Sequence, residues 1–88
     1  MFYDTESNVL DADKIQVYKV NTDIQPYEKT IQYEDDIEIE ITHRVFCDKI
    51  PQVLLSHYFM VGNTIYKVIK IKEWSNYLEC WLYQCEVD

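Results

Sequence analysis

The sequence predicts an all-β protein: a small single-domain β-barrel of about six or seven short antiparallel strands, with at most one short helix and an extended acidic loop. Three observations support this. Residues 37–47 alternate between apolar and polar side chains with a period of two, which is typical of a half-buried strand. Gly62 and Asn63 separate two apolar runs, as in a two-residue hairpin with a type II′ turn. Turn residues recur at close spacing along the 88 residues, a length that suits one domain.

The composition supports one apolar core and excludes several function classes. Hydrophobic residues make up 48% of the chain and aromatic residues 15%, which is ample for a core. The single glycine excludes a glycine-rich phosphate loop. The net charge of −8 arises entirely in residues 1–48, where twelve acids face four cations. This sign is opposite to that of a DNA-gripping protein and indicates a solubilising surface, or one that repels nucleic acid or meets a basic partner.

The first elements are predicted from alternation and turn residues. Residues 1–13 are polar and acidic and are expected to form a loose N-terminal arm before the barrel domain of residues 14–88. Residues 14–20 alternate and predict a strand, and residues 21–23 predict a turn. The next segment is expected at a sheet edge, because Pro26 cannot donate to a strand ladder.

The acidic stretch and the longest strand follow. Three adjacent acids at 34–36 repel one another and predict an exposed loop. The strand at 37–47 then places one row of side chains toward a core, with glutamates on the other face. The core-facing row comprises Ile37, Ile39, Ile41, His43 and Val45.

The second half predicts three further strands. One helical turn is expected at 52–56, after Pro51. Strands at 58–61 and 64–72 flank the hairpin turn, and a final strand covers 78–87. Simple alternation in the second of these strands places Ile65, Lys67, Ile69 and Ile71 on one face and Tyr66 and Val68 on the other.

The residues offer no catalytic, metal or cofactor site. His43 lies inside the isoleucine row and is expected at the edge of the core, and His57 stands at the start of a strand; neither has metal-ligand spacing. Cys47, Cys80 and Cys85 form neither an even disulfide set nor a C-x-x-C pair, so reduced thiols in a cytoplasmic setting are expected. No signal peptide is evident, and no apolar stretch approaches the roughly 20 residues of a membrane helix.

The acidic stretch and a strip of lysines each have a simple structural interpretation. The acids near residue 35 are expected in water, where no pocket raises a pKa for acid catalysis, and they lack the glycine turn of a calcium loop. Lys67, Lys70 and Lys72 form a short basic strip beside Tyr66 and Trp74. Such a strip suits a nucleic-acid platform, but against sixteen acids a solvated strand face is the favoured interpretation.

Three segments together resemble the small head-completion proteins (head–tail connectors, or stoppers) of long-tailed phages that infect Gram-positive bacteria. The similarity covers residues 14–87, and its motifs are short and structural. The chain departs from the family pattern at His57, where an acid often precedes the aromatic pair (here Tyr58-Phe59), and at 51–56, which lacks a glycine-rich loop. The segments are Ile24-Gln25-Pro26-Tyr27, then His43-Arg44-Val45-Phe46-Cys47-Asp48, and then the hairpin Tyr58-Phe59-x-x-Gly62-x-x-Ile65-Tyr66-Lys67-Val68-Ile69-Lys70-Ile71.

The resemblance implies a non-enzymatic barrel subunit in the virion neck. Such a subunit would form a ring beneath the portal and adaptor after DNA packaging, retain the genome and offer a docking surface to the tail-completion protein. DNA would pass without specific binding, and no membrane or cofactor is involved. An extended loop between early strands, here about residues 27–36 and onward, would line the DNA channel. Its acids are Glu34, Asp35, Asp36, Glu38 and Glu40.

A ring also needs contacts between subunits. Aromatic side chains are the best anchors for them, and ordinary core packing is the competing role for at least half of the set. The isolated chain is expected to be monomeric or weakly associated, with the ring forming on the assembled head. The candidate anchors are Tyr58, Tyr66, Trp74, Trp81 and Tyr83.

Other functions remain open at this point. An adaptor or another neck or tail-completion component would occupy the same region of a virion, although an adaptor would be more helical. An acidic inhibitor that mimics DNA and blocks a host nucleic-acid enzyme belongs to a different class, and a small-molecule-binding barrel comes third. Acids confined to one loop favour the connector, whereas a broad stripe of acids favours the mimic.

Overall fold

The computed structural model describes residues 3–33, 37–49 and 55–85. Within these residues the chain forms six antiparallel strands and no helix, which confirms the all-β prediction. The strands close into a barrel in the order β1-β2-β3-β6-β5-β4. They are β1 (Thr5–Leu10), β2 (Gln16–Tyr33), β3 (Ile37–Cys47), β4 (Tyr58–Val61), β5 (Thr64–Glu73) and β6 (Leu78–Gln84).

The N-terminal segment is part of the barrel, so the prediction of a loose arm at 1–13 is wrong for β1. This strand pairs with β2 along its whole length and with β4 through Asn8–Leu10, which closes the ring of strands. Ser7 and Val9 point into the barrel and are fully buried. Because the inward position 7 carries a serine, hydrophobic alternation does not reveal this strand.

The turn that was expected at 21–23 lies at 11–15 instead. The Asp11 carboxylate accepts hydrogen bonds from the backbone N–H groups of Asp13 (2.9 Å) and Ile15 (3.0 Å). Lys14 adopts a left-handed backbone conformation with φ of 62°, which an aspartate-based turn accommodates although glycine is absent. β2 then continues without a turn through Thr22, whose side chain is fully buried.

β2 continues well beyond the expected edge segment. The β2–β3 register is irregular between Pro26 and Lys29. A strand tolerates a missing N–H donor at such an irregularity, which explains the proline there. Residues 27–33, predicted as part of an extended loop, are therefore strand, because they pair with β3 up to Tyr33–Ile37. The helical turn predicted at 52–56 lies largely outside the described residues, of which only Leu55 and Ser56 belong to it.

β3 has the predicted bounds, but only part of its inward row reaches the core. Ile41 and Val45 are fully buried, whereas Ile37 is 57% exposed. The reason is that β6 pairs with β3 only from His43 to Cys47, so the first half of β3 has β2 as its only strand partner among the described residues. Burial therefore depends on the neighbouring strand as well as on the period of two.

The hairpin prediction is confirmed, and a bulge corrects the faces of β5. Gly62 adopts φ of 59° in the two-residue turn between Val61 and Thr64, as its type requires. Between Val68 and Lys70 the register with β6 shifts, so one residue is inserted and the alternation reverses. The core cluster consists of Val9, Val45, Cys47, Phe59, Tyr66, Val68, Leu78, Cys80 and Leu82, with Val20, Ile24, Val61 and Ile71 packed against it.

A hydroxyl pair inside the barrel links the closing strand to β2. The Ser7 Oγ and Thr22 Oγ1 atoms are 2.7 Å apart, and Thr22 Oγ1 donates to the carbonyl oxygen of Thr5 at 3.2 Å.

Thr22→Val should lower the free energy of unfolding by about 1–3 kcal/mol, because the fully buried Ser7 hydroxyl loses its partner. Adding Ser7→Ala should return much of that loss in urea unfolding. Strictly additive losses would show that the two hydroxyls do not act as a pair.

Candidate functional surfaces

An acidic arm projects from the barrel between β2 and β3. We define it as the two-stranded ribbon of residues 29–33 and 37–41, which pair with each other. The β1 register ends opposite Thr22 and the β6 register ends opposite His43, so no third strand continues beside the ribbon in the described residues. Five residue pairs at the usual rise span about 16 Å. The part of the predicted extended loop at 29–33 is thus one strand of a β-ribbon, whereas its part at 34–36 lies outside the described residues.

The acids of the arm point away from its apolar side. Glu38 and Glu40 are exposed and lie opposite Gln32 and Thr30, while Ile39 lies on the other face of the ribbon, opposite a second isoleucine. The remaining candidate channel residues, Glu34, Asp35 and Asp36, lie outside the described residues.

A basic face covers the outside of β3, β6 and β5. One cross-strand row places Arg44, Trp81 and Lys70 side by side on the three strands. The next row places Phe46, Glu79 and Lys72 side by side, and Lys67 lies opposite Tyr83. The bulge in β5 produces this arrangement, because Lys70 and Lys72 would otherwise turn inward relative to Lys67. Lysines 67, 70 and 72 and Arg44 amount to half of the eight cations of the chain.

Trp81 is the centre of the basic face. Its side chain is only 3% exposed, although it lies on the outside of the barrel. The ammonium groups of Lys72, Lys29 and Lys70 lie 4.5, 4.6 and 5.2 Å from its ring centroid, and the Tyr27 ring packs against it at 5.7 Å. Cations over an indole face are favourable, and their alkyl chains shield the ring from water.

Glu79 lies beneath this face and was not selected from the sequence. One carboxylate oxygen accepts from Trp81 Nε1 at 2.8 Å and the other from Trp74 Nε1 at 3.1 Å. The Arg44 guanidinium approaches to 4.0 Å. A carboxylate that is 7% exposed is tolerated because both oxygens accept hydrogen bonds and a cation is near. The available signal was a lone acid within the otherwise apolar run Leu78–Leu82.

The five candidate anchors divide by exposure. Tyr66 belongs to the core cluster and Trp81 is covered by lysines, so neither offers much surface to a partner in the single chain. Trp74 and Tyr83 are exposed. Tyr58 is half-buried, and the Lys14 ammonium lies 5.4 Å from its ring centroid.

The titratable core groups are placed for packing. Burial lowers the pKa of His43, whose Nδ1 lies 3.0 Å from Thr42 Oγ1 and whose ring meets the Tyr66 ring at 4.9 Å. All three cysteines are free. Burial, followed by the charge of Asp48, raises the pKa of Cys47 to about 11, and burial also raises the pKa of Cys80. These two thiols are therefore protonated at neutral pH and unreactive.

The described residues show no assembled reaction site. A groove of about 260 Å³ is bordered by Ser56, and its lining contains no imidazole or carboxylate that would activate this hydroxyl. No group of three or more histidine, cysteine or acidic side chains converges in the part of the chain that the structure describes. In that same part, no helix is long and apolar enough to cross a membrane.

Neither the models of known protein families nor the curated proteins give a match to this chain. The function is therefore inferred from the acidic arm and the basic face of the chain itself.

The Glu79 contacts predict a large effect of one substitution. Glu79→Ala should lower the free energy of unfolding by about 2–4 kcal/mol, because the buried indole N–H of Trp81 and the part-buried indole N–H of Trp74 lose their acceptor. Urea unfolding followed by tryptophan emission measures this directly. Glu40→Ala, which removes an exposed acid from a neighbouring strand, is the matched control and should leave stability nearly unchanged. Equal stability of the two variants would mean that the carboxylate does not support the outer face.

Proposed function

We propose that this protein is a phage head-completion subunit. In this role, copies form a ring beneath the portal and adaptor after packaging, retain the genome and present a docking surface to the tail. The subunit acts by position and charge and has no catalytic function. Its site of action is the virion neck.

The observation that carries the proposal is the acidic arm on a closed barrel. The head-completion proteins that this sequence resembles keep an extended segment between early strands that lines or closes the DNA channel. Here the paired ends of the early strands β2 and β3 extend past the last residues that pair with β1 and β6, and they carry the exposed Glu38 and Glu40. Since no third strand pairs with this ribbon in the described residues, its edges are free and the arm is suited to reach into a channel.

The charge distribution supports passage of DNA without adhesion. Acids that line a tunnel repel phosphate, whereas cations would hold it. The arm and the residues that join its two strands contribute five acids in the sequence from Glu34 to Glu40, and Lys29, at the base of the arm, contacts Trp81 on the barrel. DNA in such a channel meets repulsive charge, and the cations are concentrated on another surface.

The same arrangement weighs against an acidic DNA mimic. A mimic would present carboxylates as a broad convex stripe, spaced like phosphates. In this protein the outside of β3, β6 and β5 presents cations around Trp81 instead. The arm alone is too narrow to imitate a duplex, because it consists of two strands.

Deletion of the gene from the producing phage tests the role. We expect heads that leak DNA, lying beside complete and unattached tails, in electron micrographs of the lysate. Nuclease should digest the released DNA, and supplying the gene in trans should restore infectious particles. Intact infectious virions from the deletion strain would refute head completion and bring the DNA-mimic function forward.

Charge reversal in the residues that join the two strands of the arm tests the channel role separately. Replacing Glu34, Asp35 and Asp36 with lysine should slow or block genome ejection, because cations near the DNA path attract phosphate. Particles should still assemble. Ejection can be followed by dye binding to released DNA after triggering, with Asp4→Lys/Asp48→Lys as a control at exposed acids outside the arm. Normal ejection kinetics in the triple variant would refute the channel-lining role.

A further inference from the structure

The end of the β1–β2 hairpin carries three exposed apolar side chains, in the turn and at the start of β2. We call this the hairpin end and define it by Asp13, Ile15, Val17 and Tyr18, all of which are exposed. Ile15 is 61% exposed although a structured turn holds its backbone in place. Val17 and Tyr18 are also exposed, at 43% and 37%, so this end leaves three large apolar side chains in water, as interaction surfaces do.

The charge at this end is acidic once the contacts within the chain are considered. Lys19 is paired with Glu6 at 2.8 Å, and the Lys14 ammonium lies over the Tyr58 ring. Asp11 is used by the turn, which leaves Asp13 as an exposed acid beside Ile15. The hairpin end therefore combines apolar surface with negative charge.

The basic face has the complementary charge and lies on other strands of the barrel. Tyr83 and Trp74 are its exposed aromatic groups, and Lys67 and Lys70 are exposed on the neighbouring strand. In the closed strand order, β6 is three strands from β1 and β5 is three strands from β2. The two surfaces thus lie on different strands of the ring and differ in composition.

We propose that the hairpin end of one copy of this chain docks on the basic face of the next copy. Because the two surfaces differ, the contact is heterologous and runs head to tail, which generates a closed ring when the rotation between copies closes. The proposal rests on the proposed function and adds the two surfaces through which the ring assembles. The exposed acids of the arm, Glu38 and Glu40, belong to neither surface and stay available for the channel.

A second copy fits the basic face better than nucleic acid does. Single-stranded nucleic acid binds on exposed rings that stack with bases, whereas the indole at the centre of this face is only 3% exposed beneath three lysines. The net charge of −8 repels polyanions at long range. An acidic patch with apolar side chains matches both the cations and the exposed Tyr83.

Charge exchange between the two surfaces tests the proposal on the full-length chain. The hairpin variant is Asp13→Lys/Val17→Lys, and the face variant is Lys67→Glu/Tyr83→Glu; all four side chains are exposed, so both variants should fold. Concentration-dependent NMR shifts and sedimentation, up to about 1 mM chain, report the weak association expected of single contacts. Each variant should associate at least about tenfold more weakly than the wild type, and combining all four substitutions should restore association.

The control separates surface charge from net charge. Glu38→Lys/Glu40→Gln alters the arm and changes the net charge by +3, as the hairpin variant does, and it should not weaken association. Equal association of the wild type and both variants, additive losses in the combined variant, or a wild type that stays monomeric at the highest concentration would overturn the proposal. Binding of a labelled oligothymidine that the face variant abolishes would assign the face to nucleic acid and overturn it as well.

The test distinguishes this inference from the proposed function. If the deletion phage makes leaky heads while phages carrying the hairpin or face variant build normal necks, the function stands and the docking surfaces are wrong. If the charge exchange restores association in solution but the deletion phage is fully infectious, the docking surfaces stand and head completion is wrong.

Discussion

Closure of the barrel by β1 is the constraint on which the rest of the structure depends. Three residue pairs between β1 and β4 convert an open sheet into a closed ring of strands. The buried hydroxyl pair of Ser7 and Thr22 fixes β1 against β2 next to these pairs. With the ring closed, the strand register determines which side chains face outward.

Side chains on the outside of the barrel also form a packed, hydrogen-bonded layer. Glu79 holds two indole N–H groups at once, and the lysine side chains cover Trp81, so this region is a small packed layer with a charged surface. The β5 bulge is essential to it, since the inserted residue places Lys70 and Lys72 outward and Ile71 against the core. A structural carboxylate and a structural bulge thus create the basic face of an otherwise acidic protein.

Separation of charge and apolar surface links the fold to its proposed role. The acidic arm, the basic face and the hairpin end lie on different parts of one rigid barrel, so they can meet different neighbours at the same time. A channel requires repulsion toward DNA, whereas a ring requires attraction between subunits, and a single uniformly acidic surface could not provide both. The strand order sets the positions of these surfaces, because outward side chains of strands that are neighbours in the ring lie side by side.

The sequence by itself determined the all-β class, the bounds of β3 and the hairpin turn at Gly62, because these depend on local periodicity and on a backbone angle that glycine adopts freely. It also determined where the acids lie along the chain. Only the tertiary structure decided that β1 belongs to the wall, since an inward serine is visible as core only when Thr22 lies opposite. The β5 bulge, the burial of Trp81 and the role of Glu79 were likewise settled by neighbouring strands, because a register shift or a buried hydrogen bond depends on residues that are distant in sequence.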